Sequence, residues 1–467
     1  MRGLRSTIAL FVILLGLGAY IYFVESERDP AAEDALEQVF DVEAADVTSL
    51  QVVSDGGETT LSKDGDVWTI TAPIAARADE PAVDGLTNAL TSLEVQRVVE
   101  EEGADLATYG LDDPAVTVAF ETADGELERR LLIGDETATG SDRYAKVGDS
   151  PRVFLISGFL ESSLGKSTFD LRDKAVLEFN RPGVESIGVE LPDTAIRIVR
   201  EDDVWRLDEP VSARADSSIV EGLIGRLDTG RMAAVEAEAA DDLEPYGLTS
   251  PEITVTLGAG SAQSTLLVGA AAPSGTFYAK DASRPLIFTI DAPFADELRK
   301  LPEEYRTKSV FDFRSYTAHR VEITRDGTRT VFDRSEGDVA DSTGGQWSQI
   351  EPAAEVESAE IESLLTTLAN VRADSFVDEA PGGATEILAV MARSGENDHQ
   401  EEVRFVRTDD QMLAVRSGEP GAAVVPAESV DGIVSTLEGL GSPDTAGEDE
   451  ADDAAPEDSA DAPDNPS

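Results

Sequence analysis

The chain has 467 residues, more than one small domain needs, and its 94 Asp and Glu against 37 Lys and Arg give a formal net charge of −57. Such a surface repels nucleic-acid phosphates and anionic lipid headgroups, so we expect no nucleic-acid partner. The absence of cysteine excludes a disulfide, a thiolate metal site, a cysteine nucleophile and a lipid-modified N-terminal cysteine. An acidic, lysine-poor surface suits a saline habitat, but acidic secreted proteins look similar, so the composition leaves the habitat open.

The N-terminus predicts a membrane anchor. Arg2 and Arg5 precede an uncharged apolar run over residues 7–24, which as a helix is about 27 Å long, close to the hydrocarbon thickness of a bilayer. The positive charge before this run and the acidic linker after it, residues 25–45, favour an N-terminus inside and a C-terminus outside. A cleaved signal peptide is the alternative, but the run is longer than a usual signal core and ends without a clear small-x-small cleavage site. We therefore expect residues 1–24 to form a short stub and a single transmembrane helix.

Three tryptophans set the register of an internal repeat. Trp68, Trp205 and Trp347 are each followed five residues later by proline, and further matches keep their order in the first two copies. FDLRDK, which begins at residue 169, is matched to FDFRSY, which begins at residue 311. We predict repeat 1 over residues 46–180, repeat 2 over 181–318 and a degenerate repeat 3 over 319–440, in which MLAV at 412 replaces RYAKV. Residues 441–467 hold ten acidic residues and no basic ones, which predicts a disordered tail.

Each repeat predicts the same elements in the same order. A short meander comes first, with an Asp-Gly turn before the first Trp. An amphipathic helix follows, capped by Asp79 in repeat 1 and by Asp216 in repeat 2. Alternating strands and a second short helix complete the repeat. The turns are too short for regular βαβ units, so we predict an α+β fold of mainly antiparallel sheets with packed helices.

The repeated residues are candidates for a site. The tryptophans are best explained as core anchors, with an aromatic ligand platform as the alternative. Arg77 and Arg214 begin an Arg-Ala-Asp triplet that caps a helix or binds an anion. The motif Tyr-Gly-Leu-x-x-Pro occurs twice, each time before a strand, and we interpret it as a structural joint whose Tyr could also meet a partner. Its glycines can adopt a positive φ, and its prolines suit the start of a strand. The motif residues are Tyr109, Gly110 and Pro114 in repeat 1, and Tyr246, Gly247 and Pro251 in repeat 2.

No motif indicates catalysis or a cofactor. The two histidines, His319 and His399, are far apart in sequence and are read as surface residues. There is no HExxH or cysteine pair, so no metal site is predicted. The stretch from Gly158 to Ser167 looks like a phosphate-binding loop, but six residues rather than four separate its first glycine from the Gly-Lys pair. With so many acidic residues, a catalytic carboxylate pair is unsupported rather than excluded.

Taken together, the N-terminal anchor, YGLDDPAVTVAF, LLIGDETATGSDRYAKV and STFDLRDKAVL, with their second copies YGLTSPEITVTL, LLVG and FYAK, resemble a bacterial family catalogued as domain of unknown function 4340. The resemblance covers about residues 8–320. It implies a protein anchored in the bacterial cytoplasmic membrane, with the bulk of the chain in the periplasm, often encoded beside ABC-type transport or gliding-motility-type components. It supplies no catalytic residues.

The leading hypothesis is a non-enzymatic, membrane-anchored accessory or scaffold protein that contacts an ABC-type transporter or another envelope complex. The second hypothesis is a module that binds a small molecule or glycan between repeats. An envelope hydrolase that uses scattered carboxylates is the third and least supported.

Overall fold

A computed structural model describes residues 36–102, 105–123, 129–335, 345–379, 382–395 and 397–440. The predicted anchor over residues 7–24, the first part of the acidic linker and the predicted disordered tail lie outside these described residues. Within the described part, none of the helices combines the length and apolarity that a membrane crossing requires.

The described residues form an α+β fold of three nine-stranded antiparallel sheets in tandem, with packed helices, as the sequence predicted. Strands β1 to β11 are Glu37–Gln38, Val47–Ser54, Gly57–Asp64, Val67–Ala72, Ala76–Arg77, Glu94–Val95, Arg97–Glu100, Val116–Thr122, Arg129–Glu136, Asp142–Val147 and Val153–Ser157. Strands β12 to β20 are Ser186–Leu191, Thr194–Glu201, Val204–Glu209, Ala213–Arg214, Ala234–Ala237, Ile253–Ala259, Ala262–Ala271, Phe277–Asp281 and Ile287–Ile290. Strands β21 to β29 are Ala318–Arg325, Thr328–Arg334, Trp347–Glu351, Ala353–Ala354, Ser375–Val377, Thr385–Ser394, His399–Arg407, Met412–Arg416 and Ala422–Val425. Helices α1 to α8 are Glu80–Thr91, Leu160–Leu164, Thr168–Leu171, Ser217–Thr229, Ala292–Glu297, Pro302–Tyr305, Ser358–Ala369 and Ala427–Gly439.

The three sheets share one strand order. The first runs β5-β4-β3-β2-β8-β9-β10-β11-β7, the second β15-β14-β13-β12-β17-β18-β19-β20-β16 and the third β24-β23-β22-β21-β26-β27-β28-β29-β25. Each sheet thus consists of two meanders that meet at their first strands. Val52 pairs with Val118 at this seam in the first sheet, and Ile323 pairs with Val390 in the third. These residues are fully buried, so the seam lies at the centre of each hydrophobic core.

A helix follows the first meander of each repeat, α1, α4 and α7, and in repeat 1 it covers one face of the sheet. In α1, Val83, Leu86 and Leu90 lie at helical spacing and are fully buried against the sheet, as the apolar periodicity predicted. The side chain of Asp79 accepts a hydrogen bond from the N–H of Ala82 (3.2 Å), which confirms the predicted cap. Asp216 caps α4 in the same way, accepting from the N–H groups of Ser218 and Ile219.

The third repeat keeps this architecture after losing the sequence signature. Strand β28, which contains MLAV, takes the position in its sheet that β10 and β19 take in theirs, so the predicted replacement of RYAKV by MLAV is confirmed. The degenerate repeat is therefore complete as a fold.

The alignment of FDLRDK with FDFRSY proved wrong. Residues 171–176, named linker 1, correspond instead to residues 305–310, named linker 2. The N–H of Asp173 donates to the carbonyl of Arg77 (2.9 Å), and the N–H of Thr307 donates to that of Arg214 (3.0 Å). These backbone hydrogen bonds show which residues of the two linkers correspond. The Phe, Asp and Arg that FDLRDK and FDFRSY share do not lie at corresponding positions.

Both linkers pair through their backbones on two sides. Linker 1 contacts residues 76–79 on one side, and on the other side the N–H of Met232 donates to the carbonyl of Lys174 (2.8 Å). Linker 2 contacts residues 213–216, and the N–H of Ala373 donates to the carbonyl of Lys308 (2.7 Å). Each linker thus forms backbone hydrogen bonds on both of its edges.

The chain divides into two compact units. Unit 1 comprises residues 1–176, 229–241 and 285–291, and so contains the first sheet and linker 1. Unit 2 comprises residues 177–228, 242–284 and 292–467, and so contains linker 2 and the third sheet.

Tyr305, the first residue of linker 2, is fully buried, and its hydroxyl has no hydrogen-bond partner among the described residues. The corresponding residue of linker 1 is Leu171. Burial raises the pKa of the Tyr305 hydroxyl, since the charged form would lose its water. We predict that Tyr305→Phe leaves the free energy of unfolding unchanged or raises it by about 1 kcal/mol in urea unfolding, because it removes an unsatisfied polar group.

Tyr109→Phe is the matched control for this substitution. It deletes the same atom, but the Tyr109 hydroxyl donates to Glu100 at 3.0 Å. We expect a loss of up to about 1 kcal/mol there. A larger loss in Tyr305→Phe than in Tyr109→Phe would contradict the assignment.

Candidate functional site

The three signature tryptophans lie in the cores. Trp68, Trp205 and Trp347 are 3%, 3% and 2% exposed, so they offer no open face to a ligand. The indole N–H of Trp205 donates to Glu221 at 3.0 Å. Each proline five residues later follows a cis peptide bond. The tryptophans occupy the positions expected of core anchors rather than of an aromatic platform.

The Tyr-Gly-Leu turns fit against a second glycine. Gly110 and Gly247 have φ of +63° and +67°, in the left-handed region that glycine adopts without steric cost. A Cβ on Gly134, in LLIG, would lie 2.1 Å from the carbonyl oxygen of Tyr109. A Cβ on Gly269, in LLVG, would lie 2.2 Å from that of Tyr246. In repeats 1 and 2, the Tyr-Gly-Leu turn and the glycine of the LLIG or LLVG segment are therefore in close backbone contact.

The motif tyrosines face the tyrosines of the YAK segments. The ring centroids of Tyr109 and Tyr144 are 4.8 Å apart, and those of Tyr246 and Tyr278 are 5.1 Å apart. The bond to Glu100 raises the pKa of the Tyr109 hydroxyl, helped by the loss of water and by the charge of Glu100. Each ring is thus engaged within its own repeat. The motif prolines, Pro114 and Pro251, are half-buried and precede strands β8 and β17 by two residues.

The two signature arginines differ, although their backbone positions are the same. Arg77 is exposed, whereas the side chain of Arg214 is only 12% exposed. Arg214 donates through Nε to Glu419 (2.6 Å) and through Nη1 to Asp312. Its Nη2 donates to the carbonyls of Ser309 (2.9 Å) and Val310 (3.2 Å) of linker 2. The first arginine is a surface residue, and the second is the centre of a charged cluster.

Arg416, on β28, completes this cluster. It is also 12% exposed and donates to Asp312 (2.7 Å), Glu401 (2.5 Å) and the carbonyl of Val310 (3.1 Å). Glu401, on β27, has a side chain that is 1% exposed. It accepts the N–H groups of Asp312 (3.0 Å) and Phe313 (2.9 Å) as well. The cluster consists of Arg214, Asp312, Glu401, Arg416 and Glu419.

Electrostatics hold the cluster in its charged form. Burial lowers the pKa of Arg214, but the nearby carboxylates of Glu419 and Asp312 outweigh this effect, so the pKa lies above its usual value. A guanidinium that bonds two carboxylates and two carbonyls has nearly all its donors used. The cluster therefore joins linker 2 and the third repeat in a single network.

The second repeat carries the reversed charges at the matching strand positions. Asp281 occupies the place of Arg416, and Arg284 occupies that of Glu419, as the strand registers show. Asp281 is 1% exposed, pairs with Arg284 (3.1 Å) and accepts the N–H of Glu178 (3.3 Å). An acid and a base thus hold the chain after each linker, with their places exchanged.

A cleft of about 1020 Å³ adjoins the cluster in unit 2. Its walls carry both signs of charge and several hydroxyls, so it suits a polar or zwitterionic ligand better than an apolar one. The side chains that give it this character are Arg206, Arg214, Ser217, Asp312, Arg372 and Glu402.

The two histidines lie at the same end of the third sheet. Ser394 pairs with Ala318 on one side and with His399 on the other, so His319 and His399 lie near the same end of these strands. His319 Nε2 lies 2.8 Å from Asp398 Oδ1, and this carboxylate is also 3.5 Å from Arg393. The pair is exposed, at 42% for His319 and 57% for Asp398. The described residues include no group of three or more side chains that could hold a metal ion.

Sequence reasoning found Arg214 but missed its partners. Asp312, Glu401, Arg416 and Glu419 stand in the degenerate copy or beside the misaligned linker, where no repeated letter marks them. The predicted match of MLAV to RYAKV, extended to Arg416 and compared with Asp281 in repeat 2, contains the signal that could have shown the exchanged charges.

A family model described as "Domain of unknown function (DUF4340)" matches residues 68–204 and again residues 205–388. No curated protein matches the chain. Two crystal structures of the DNA polymerase sliding clamp from Pseudomonas aeruginosa, one with ligand, align at 9% identity with TM-scores of 0.15 and 0.14. They cover 82% and 84% of this chain and 91% and 93% of the clamp chains. At these TM-scores the alignments carry no argument.

The glycine contact yields one prediction. Gly134→Ala should lower the free energy of unfolding by about 1–3 kcal/mol in urea unfolding, because the new methyl meets the carbonyl of Tyr109. Gly85→Ala is the matched control, since Gly85 lies exposed in helix α1 with no atom near its missing Cβ. It should raise stability by about 0.5–1 kcal/mol. Equal effects at both positions would show that the close approach is absent.

The cluster yields another prediction. Glu401→Gln should lower the free energy of unfolding by about 3 kcal/mol, because it leaves Arg416 without its buried counter-charge. Glu402→Gln is the control, since Glu402 is half-buried and its carboxylate accepts only the hydroxyl of Ser417 (3.2 Å). We expect it to change stability by no more than about 0.5 kcal/mol. If urea unfolding shows the two variants to be alike, Glu401 does not hold the cluster.

Proposed function

The chain belongs to the DUF4340 family, whose domain of unknown function it carries twice, and we propose that it is a non-enzymatic accessory or scaffold protein. On this proposal residues 7–24 anchor it in the bacterial cytoplasmic membrane, its repeats lie in the periplasm, and their surface contacts an ABC-type transport system or another envelope complex.

The observation that carries the scaffold proposal is how the buried charges are used. Arg214 and Arg416 donate to carbonyls of linker 2, and Glu401 accepts two of the N–H groups that follow it. These bonds fix the chain to itself and leave few donors for a substrate. Such an arrangement suits a protein that presents a stiff surface to a partner.

The anchor is supported by the sequence alone. Arg2 and Arg5 before the apolar run and the acidic residues after it favour an orientation with the repeats outside the cytoplasm. The extreme acidity of the chain keeps such a protein soluble beside an anionic membrane surface rather than bound along it.

Topology is open to direct test. Alkaline phosphatase, which is active only outside the cytoplasm, should be active when fused after residue 440 of the full chain. A green fluorescent protein that folds only in the cytoplasm should stay dark at the same site. The reverse pattern would overturn the proposed orientation, and the same fusions on a chain lacking residues 7–24 serve as controls.

The partner is testable by photo-crosslinking in native membranes. Two exposed aromatic positions, Phe159 and Tyr316, are each 73% exposed and can carry a benzophenone side chain. We expect crosslinks from at least one of them to a multi-spanning permease, identified by mass spectrometry. The buried Trp205 is the control position and should give no such product. Crosslinks only within the chain, at all positions, would count against the scaffold proposal.

A periplasmic binding module is the second candidate, favoured by the cleft of about 1020 Å³ in unit 2. A cleft of that size accommodates a drug-sized or disaccharide-sized ligand. A thermal-shift screen of polar small molecules and glycans distinguishes the binding module from the scaffold. A binding module should be stabilised by a ligand, and Arg206→Ala at the cleft wall should abolish this stabilisation. A scaffold should show no such ligand response.

A further inference from the structure

Arg306, in linker 2, is a buried arginine with a free guanidinium. The residue is 7% exposed, and its side chain forms no hydrogen bond or ion pair with the residues that the structure describes. Its Cζ lies 3.9 Å from the centre of the Phe376 ring, which covers one face of the guanidinium and accepts no N–H bond in the plane. Buried charges in proteins are normally both paired and hydrogen-bonded, so this group calls for a partner.

The corresponding arginine of linker 1 shows what that partner is. Arg172 is 6% exposed and holds the same backbone position, since it bridges Ala78 as Arg306 bridges Ala215. Its guanidinium donates two hydrogen bonds to the carboxylate of Glu238, at 2.8 and 3.4 Å. The same position is therefore occupied by a carboxylate in one linker and by none in the other.

Repeat 3 has an aspartate, Asp378, at the position that corresponds to Glu238. Glu238 immediately follows strand β16, and Asp378 immediately follows the matching strand β25. Asp378 acts on Arg306 only through space, without an ion pair. Its backbone is held in place, because a Cβ on Gly421 would lie 2.1 Å from the carbonyl oxygen of Val377 and 3.1 Å from the carbonyl carbon of Asp378. One methylene too few thus leaves the guanidinium unpaired.

A small pocket lies at this place. The pocket is open on one side, and its volume of about 20 Å³ admits one water-sized polar group. It is lined by three arginines, Arg214, Arg306 and Arg416, and by small residues that leave space beside them. The carboxylates of the cluster are bonded to Arg214 and Arg416, so the free donors belong to Arg306.

We propose that this pocket binds the carboxylate group of a ligand from outside the chain, gripped by Arg306 as Glu238 is gripped by Arg172. The ligand is a small organic acid or an acidic side chain of a peptide, which share this chemistry. The planar fork of a guanidinium matches a carboxylate with two parallel bonds, which chloride cannot reproduce. Burial lowers the pKa of Arg306 and outweighs the attraction of the Glu419 and Asp378 carboxylates, whereas the pKa of the paired Arg214 is raised. The inference does not depend on the proposed anchor or membrane partner.

Acetate is the probe for this site. In the full chain, the thermal unfolding midpoint should rise saturably as acetate replaces chloride at constant ionic strength. Acetamide, which has the same shape without the charge, should have no effect. Two variants should each weaken the acetate response at least about tenfold in apparent affinity. They are Arg306→Met, which removes the fork, and Asp378→Glu, which supplies the missing methylene from within the chain.

Asp378→Glu keeps the test decisive if Arg306→Met fails to fold. It should raise the unfolding midpoint without acetate, because it recreates the pair seen at Arg172. Glu238→Asp is the reverse change and should create an acetate response in linker 1 when made on the Asp378→Glu background.

A blocked Gly-Glu-Gly peptide separates the two sources of the carboxylate. Competition with acetate by this peptide assigns the site to an acidic side chain, and its failure to compete assigns the site to a free acid. The proposal is overturned if chloride and acetate act alike, if acetate has no effect on the wild-type chain, or if Asp378→Glu responds to acetate as the wild type does.

Discussion

The two-sided backbone pairing of the linkers is the constraint on which the other features depend. A segment paired on both edges cannot slide by one residue without turning every side chain to the opposite face. It therefore fixes which linker residues are buried, and one of them is arginine in both linkers. A buried guanidinium then requires a carboxylate at a defined place. Glu238 meets this requirement at Arg172 in linker 1. Arg306 in linker 2 has no paired acid among the described residues, and the arginines of the cluster, on β15 and β28, bond the carbonyls of linker 2 instead.

Local rules of sequence predicted most of the fold. Alternation gave the meanders, the spacing of Val83, Leu86 and Leu90 gave helix α1, and Asp79 gave its start. Tyr-Gly-Leu was recognisable as a joint because Gly110 needs a left-handed backbone, a property of one residue. Each of these signals lies within a few residues, where periodicity and backbone preference act.

What the sequence could not show was decided across the sheet. The register of the linkers depends on partners in distant strands, so the similar letters of FDLRDK and FDFRSY misled the alignment. The Arg214 cluster escaped for another reason: its acid and base exchange places between Asp281–Arg284 and Arg416–Glu419. Such an exchange keeps the attraction between the acid and the base, but the two repeats then have different residues at each position. Arg77 and Arg214 show the converse, because identical letters stand in an exposed and a buried setting.

The family matches bear on what the evolving unit is. They run from Trp68 to residue 204 and from Trp205 to residue 388, whereas each sheet begins about twenty residues earlier, at strand β2 or β12. The first matched unit, for example, begins with β4 and β5, the last strands of the first meander. It continues through helix α1 and the second meander to linker 1 and the strands beyond it. Linker 1 and linker 2 therefore lie inside the matched units and not between them. Arg172 lies in the first matched unit and its acid, Glu238, lies in the second, so the ion pair of linker 1 joins two matched units. The acid that faces a linker arginine is therefore supplied by the strand that follows the next helix along the chain, as Glu238 after β16 and Asp378 after β25 show.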